Sequence, residues 1–311
     1  MKFLTHSGRF HADETLAAAM LLLGAIADEV IYLEDVSWPS INQYRLTHDC
    51  IVGDIGREYI PSERLFDHHQ GDILRPHGEL YATAGLIWKH YGKDVIERVL
   101  FGDTPTLYDP RKVEFIWEKV DKRIVIAIDA NDADSTYSFF GNIRTVFYVA
   151  AMDLPTVIRN LNCSDSKSED HINNRSMATE MLKQLLKNSI LAYAATYDAR
   201  GYILGSEIVE DHILLLEKGV PWRSVVHELN ESRERSIYYV IAPSDHPGNK
   251  YSLIAVTSTL GGRDSIKPIE RLGGFKDFIH NNKFIAGSNS IEDLIKLGKL
   301  NLEEYKESLI F

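Results

Sequence analysis

An acid followed by two histidines ends a short apolar run: Leu65-Phe66 and then Asp67-His68-His69-Gln70. Neighbouring side chains on extended backbone point to opposite faces. Packing explains such a pair poorly, and only one of the two imidazoles would normally ligate a given metal, so this run points to a site. Apolar runs stop at polar groups in three further places. Thr5-His6-Ser7-Gly8-Arg9-Phe10-His11-Ala12-Asp13-Glu14 follows Lys2, Phe3 and Leu4. Val52-Gly53-Asp54-Ile55-Gly56 follows Cys50 and Ile51, and Asp129-Ala130-Asn131-Asp132-Ala133-Asp134 follows Ile126 to Ile128.

Strand-like and helical runs alternate around these clusters. Lys2 to Thr5 leads into a turn at Gly8, and Glu14 to Ala27 reads as a helix opened by acids that suit its positive end. Glu29 to Leu33 is strand-like. Helices are expected over Ala82 to Leu100 and from Asp109, an N-cap ahead of Pro110, towards Ile128. This order predicts a parallel α/β sheet, whose ligand sits beyond the carboxyl ends of its strands. The polar stretch Asn160 to Arg175 reads as a surface loop, and Met177 to Ala195 as a helix closed by Gly201. A second unit follows, with strands at Ile237 to Ala242 and Tyr251 to Thr257 and a terminal helix from Ser290. The expected organisation is a first domain over 1–160, a polar loop and helical linker over 161–204, and a smaller α/β domain over 205–311.

Composition narrows the function classes. With 34 basic and 45 acidic residues among 311, the formal charge is −11. A protein that grips long nucleic acid non-specifically normally carries the opposite sign, whereas such a chain attracts metal cations. Cys50 and Cys163 stand alone, which excludes a sulfur-based zinc site and suits a reducing cytoplasm. The longest apolar run, Leu16 to Ala27, has twelve residues, too few for a bilayer span of about 20, so no membrane partner is expected.

Three of the clusters alone have an ordinary explanation: Asp13 as an N-cap, Asp54 as a turn aspartate, Asp129 to Asp134 as a solvated acidic loop. Together they supply His6, His11, Asp13, Asp54, His68 and Asp132, an all nitrogen and oxygen set sufficient for two divalent ions, with Asp54 as the shared carboxylate. Imidazole and carboxylate without thiolate suit manganese or zinc, with iron or cobalt as alternatives. Two such ions side by side are the layout of phosphatases and nucleases. Asp129 and Asp132 lie three apart, on one face if helical, and either could be the fourth cluster's ligand.

The motifs resemble those of the Myg-one (melanocyte proliferating gene one) family, a branch of the DHH phosphoesterase superfamily. Thr5 to Glu14 matches its T-H-x-G-x-F-H-x-D-E opening. Val52 to Gln70 matches its D-x-G-x-x-Y and D-H-H-Q stretch, and Ala84 to Gly92 its A-G-L-I helix. Asp129 to Asp132, Pro221-Trp222 and Phe278 to Gly287 match later segments. Two positions differ. Most of the superfamily places an aspartate four residues after the first histidine, whereas here His11 follows His6 by five. The family's Gly-Gly-His near the C-terminus reads Ala286-Gly287-Ser288.

The resemblance implies a parallel-sheet DHH-type catalytic domain followed by a smaller α/β substrate-binding domain, and dinuclear, manganese-type hydrolysis of phosphoesters. The expected activity is that of a phosphodiesterase or 3′–5′ exonuclease on RNA, DNA or short oligonucleotides. In this reading His6, His11 and Asp54 serve one metal, and Asp13, Asp54, His68 and Asp132 the other. Asp67 orients a histidine, His69 faces the scissile phosphate and Arg9 steadies a non-bridging oxygen. His280, Arg263 and Lys267 contact substrate, with Arg271 nearby, while Trp222 belongs to the core. A metallopeptidase would need the H-E-x-x-H spacing, which is missing. A silent nucleotide- or metal-binding module is the remaining alternative.

Overall fold

Phe3 and Leu4 sit side by side in the first strand, and each meets its own apolar layer. The computed structural model describes residues 1–71, 73–76, 78–102, 108–133, 153–260, 262 and 264–308. Strand β1 (Lys2–His6) pairs in parallel with β2 (Glu29–Leu33) and β3 (Cys50–Gly53). A short antiparallel edge strand, β4 (Tyr59–Ile60), pairs with β5 (Leu65–Phe66), itself parallel to β3. The sheet order is β2-β1-β3-β5-β4.

Strand alternation fills both faces. Phe3, Ile51 and Phe66 join Leu16 and Met20 of helix α1 (Ala12–Leu23) and Leu86 and Trp88 of another helix, Thr83–Phe101. Leu4, Val52 and Leu65 join Ile41 of α2 (Trp38–Thr47) on the opposite face. Two faces covered by helices are what a parallel sheet requires. The Thr83–Phe101 helix is α3, and α4 (Pro110–Val120) follows it. A turn of π-helix (Asp121–Val125) then leads into α5 (Ile126–Asp132).

Several boundaries differ from expectation, for physical reasons. Helix α1 stops at Leu23 rather than Ala27, because Gly24 caps it and Ala25 turns left-handed with φ 53°. Short α6 (Leu154–Asn160) precedes α7 (Glu169–Gly205), which runs 37 residues through Gly201. One interior glycine costs a helix about 1 kcal/mol relative to alanine. Buried Ala199 and Ile203 on either side of it offset that. The stretch read as a surface loop is therefore helical from Glu169, and it buries His171 and Arg175.

The chain divides into two compact units, Met1–Ala194 and Ala195–Phe311. The second unit is built on a six-stranded sheet from β6 (Ile208–Val209), β7 (Ile213–Leu215), β8 (Tyr239–Pro243), β9 (Tyr251–Ala255), β10 (Phe278–Ile279) and β11 (Ile285–Ser288). Its order is β10-β11-β9-β8-β7-β6. It is antiparallel except for the parallel β7–β8 pair. Trp222 and Val226 with α8 (Arg223–Glu231) cover one face. Leu294 and Leu297 of α9 (Ile291–Ser308) pack with Tyr239 and Leu253 on the other. Both units are α/β, the second with a mixed sheet. Among the described residues no helix is long and apolar enough to cross a membrane.

Candidate metal centre

From β1 the chain passes through α1 to β2 on one side, while β3 lies on the other. That reversal opens a crevice above the carboxyl ends of β1 and β3, where open α/β sheets bind ligands. His6 ends β1, Asp54 follows β3, and Asp67, His68 and His69 follow β5. Asp13 and Glu14 occupy the first turn of α1, and Asp132 ends α5.

The His6 ring is fixed by its Nδ1–H, which donates to the Ser7 carbonyl at 2.8 Å. Its Nε2 lies 3.1 Å from Asp54 Oδ2 and 3.7 Å from Glu14 Oε1. Burial pushes the His6 pKa down. The Asp54 hydrogen bond and the Glu14 and Asp54 charges more than reverse this and raise it to about 9. Asp54 itself has φ 61°, a left-handed conformation uncommon outside glycine. Thr83 Oγ1 donates to its Oδ1 at 3.3 Å. Burial alone would raise the Asp54 carboxyl, but His6 and His68 hold it below the usual carboxylate range.

His68 Nε2 stands 3.2 Å from Asp132 Oδ2, 3.3 Å from Asp54 Oδ1 and 4.0 Å from Asp13 Oδ2. Burial lowers the His68 pKa, and the Asp132 and Asp54 carboxylates raise it to about 10. These contacts are close yet misaligned. His68 Nε2 and both oxygens of Asp13 are buried without a hydrogen-bond partner among the described residues. A buried polar group left unpaired costs about 1–3 kcal/mol, and a charged one more. Asp13 is fully buried, and burial followed by the Asp54, Asp132 and Glu14 charges drives its pKa well above the usual value.

Glu14 accepts the His11 backbone N–H at 2.9 and 3.0 Å and Arg175 Nη2 at 3.2 Å. Exposed His11 places Nδ1 3.7 Å from Asp132 Oδ1. Among the described residues, four overlapping groups have ligand atoms within 4.8 Å of one another: His6-His11-Glu14, Asp54-His68-His69, His11-Asp13-Asp132 and Asp13-Glu14-Asp54. Such clusters could hold metal ions. Orphaned carboxylate oxygens beside an orphaned imidazole nitrogen are the donors a divalent cation would satisfy, and the absence of thiolate suits harder cations.

Asp67 is buried and spent on local order. Its Oδ2 accepts the Arg57 N–H at 2.7 Å, and its Oδ1 accepts the His69 N–H at 2.9 Å and Nδ1–H at 2.7 Å. The last bond, ahead of burial, raises the pKa of His69, a half-exposed ring. Asp129 turns away from the cluster. Its Oδ2 takes Arg75 Nη2 at 2.5 Å and its Oδ1 the Gly85 N–H at 2.9 Å, so Asp132 is the carboxylate of α5 beside His68.

None of these contacts involves the other expected site residues. Arg9 is exposed, while Arg263 and Asp134 fall outside the described residues. In the second unit, buried Lys267 sets its ammonium 4.0 Å over the Tyr238 ring. His280 Nδ1 accepts the Asn282 N–H at 3.1 Å, and its ring lies beside Phe284. Ser288 is buried and donates to Asp277 Oδ2 at 2.5 Å.

Glu14 enters the cluster although its sequence context reads only as a helix-opening acid. Its signal was present: an acid three residues after an N-cap position can fold back on the cap's N–H. Arg175 and Arg75 left no comparable signal, because the acids they meet are 161 and 54 residues away.

Comparison with known proteins gives a family model, MYG1_exonuc, described as an uncharacterised protein family (UPF0160), that matches residues 2–302. The MYG1 protein of Saccharomyces cerevisiae is 28% identical over 96% of this chain and 94% of its own length. The MYG1 protein of Schizosaccharomyces pombe is 26% identical over 97% and 98%. A mouse protein named MYG1 exonuclease is 24% identical over 96% of this chain and 84% of its own length. A solved pGpG-specific phosphodiesterase, PggH, aligns over 98% of this chain and 99% of its own at 15% identity with a TM-score of 0.28, a likeness too slight to argue from.

Proposed function

Because the chain belongs to the MYG1_exonuc family, we propose that it is a metal-dependent phosphodiesterase that hydrolyses short RNA, DNA or oligonucleotides from the 3′ end. Two divalent cations, manganese foremost, would be its cofactors. The observation that carries this reading is the buried, hydrogen-bond-free carboxylate of Asp13 beside the equally unpaired Nε2 of His68. Such an arrangement is costly for the protein groups by themselves and favourable around cations. The exonuclease name of the mammalian relatives supports the choice of substrate class.

His6, His11 and Asp54 would hold one cation, and Asp13, Asp54, His68 and Asp132 the other, with Glu14 close enough to His6 to join the first set. Bound there, the cations supply Lewis acidity and a nucleophile at neutral pH. The chain's own groups do the rest. Ser7 fixes the His6 tautomer, so Nε2 is the nitrogen left for coordination. Asp67 clamps His69 through Nδ1, which leaves the half-exposed ring to donate from Nε2 to a phosphate oxygen. Exposed Arg9 would steady a non-bridging oxygen.

The test is turnover of bis(4-nitrophenyl) phosphate and of an end-labelled short RNA with added manganese. Activity is expected to vanish with EDTA and to fall to background in His68→Ala. Undiminished turnover by His68→Ala, or cleavage of casein without cleavage of either phosphodiester, overturns the reading.

A further inference from the structure

A second cavity opens on the same edge of the first sheet, one strand away from the β1–β3 crevice. Its volume is about 350 Å³, at the small end of the ~300–1,000 Å³ that holds single small-molecule ligands. Ser7 past the end of β1, Tyr32 and Glu34 at the end of β2, and Lys167, Arg175 and Ser176 around the start of α7 line it. Adjacent strands lie about 4.8 Å apart, so the cavity is close to the metal cluster along the carboxyl edge.

We propose that this cavity is a subsite for the phosphate-bearing terminal nucleotide of the substrate, held by the guanidinium of Arg175. The Arg175 side chain is only 7% exposed. Its Nη2 donates to the His6 carbonyl at 2.8 Å and to Glu14 Oε1 at 3.2 Å. Its Nε and Nη1 have no hydrogen-bond partner among the described residues, although the residue lines the cavity. A guanidinium with donors to spare at a cavity can take an anionic acceptor, and phosphate matches its fork. Glu14 does not neutralise Arg175 alone, since it also faces His6.

The other walls agree with this ligand. Tyr32 lies under the guanidinium, 3.9 Å from the Arg175 Cζ to the ring centroid, and fixes its plane. Lys167 and Glu34 form a solvent-exposed pair at 3.2 Å. Such pairs are worth little, so Lys167 is available to a phosphate. His171 is wall rather than ligand, because Nδ1 accepts the Cys163 N–H and Nε2–H donates to the Gly8 carbonyl. Arg175 therefore touches both places: its Nη2 bonds the carbonyl of His6, whose ring belongs to the candidate metal cluster, and the residue lines the cavity. A pocket for one nucleotide beside the scissile position selects chain ends over interiors.

The choice of nucleotide rests on the phosphodiesterase reading, but the binding test does not. Titration of the full chain with AMP in EDTA, followed by calorimetry, is expected to show binding at least tenfold tighter than adenosine. Ser176→Trp, which fills the cavity from its exposed rim, and Arg175→Gln should each weaken AMP at least tenfold. Ser176→Trp should also raise the KM for a 3′-phosphorylated trinucleotide about tenfold. Adenosine binding as tightly as AMP, or unchanged AMP affinity in Ser176→Trp, overturns the proposal. If the wild type turns over no phosphodiester yet binds AMP in this pattern, the activity reading fails and the anion subsite stands.

Discussion

Arg75 serves two acids with one guanidinium. Nη1 meets both oxygens of half-buried Asp121 at 2.8 and 2.7 Å, while Nη2 meets buried Asp129 at 2.5 Å. With both acids ionised the triad would carry a net negative charge out of water. Burial raises the Asp129 pKa to about 7 even against the pull of Arg75. The unfolded chain releases that proton near 3.8. The folded chain therefore holds one more proton between about pH 4 and 7, and the stability this confers is complete below pH 4 and lost as pH rises through 7. Asp129→Asn cannot ionise. Urea unfolding across pH 4–8 should show a smaller fall in stability for the variant than for the wild type, by close to one proton. Parallel pH profiles would show that Asp129 is ionised throughout. Asp13 and Glu14, also raised, add the same sign to both proteins and cancel in the comparison.

That triad sets how α5 presents Asp132, and α3 completes the fit. Gly85 of α3 gives its N–H to Asp129, and a Cβ there would stand 1.9 Å from Asp129 Oδ2. Alanine ordinarily favours a helix over glycine by about 1 kcal/mol. Here Gly85→Ala must instead displace a buried carboxylate from its guanidinium, so a drop of several degrees in Tm is expected. The displacement should reach Asp132, three residues further along α5, and weaken manganese binding in calorimetry. A variant with an unchanged or higher Tm would show that α5 shifts freely. The π-turn before α5 is the kind of irregular helical segment that recurs at functional sites.

Elements whose apolar pattern is local were legible from the residues alone: Lys2–His6, Glu29–Leu33, the runs ending at Gly53 and Phe66, and α3 to within a residue. β6, β7 and β10, of two or three residues each, are too short to leave a period. The start of α7 was hidden because its polar first turns bury His171 and Arg175 through partners far away in sequence. The cluster of imidazoles and carboxylates was visible as four polar endings, three of them near the carboxyl ends of strands, which converge in a parallel sheet. The separate duties of Asp129 and Asp132 were not, because they depend on Arg75 and Gly85.

Residues from 6 to 132 meet at one cluster, so a cation there binds the folded chain alone and must stabilise it by mass action. At a concentration of about 100 times Kd this amounts to about 2.7 kcal/mol, which for a chain of this size shifts Tm by several degrees. Manganese should therefore raise Tm in a concentration-dependent way that EDTA reverses. Asp13→Asn separates this from generic stabilisation by salt. With EDTA present the variant should melt higher than wild type, because it removes a buried acid crowded by Asp54, Asp132 and Glu14. With manganese present the order should invert, because a ligand has gone. Repulsion among buried acids and attraction to a cation are the same charges read under two conditions. Variant and wild type gaining equally from manganese would mean that Asp13 is buried for some other reason, and the pairing of its orphaned oxygens with a cation would fall.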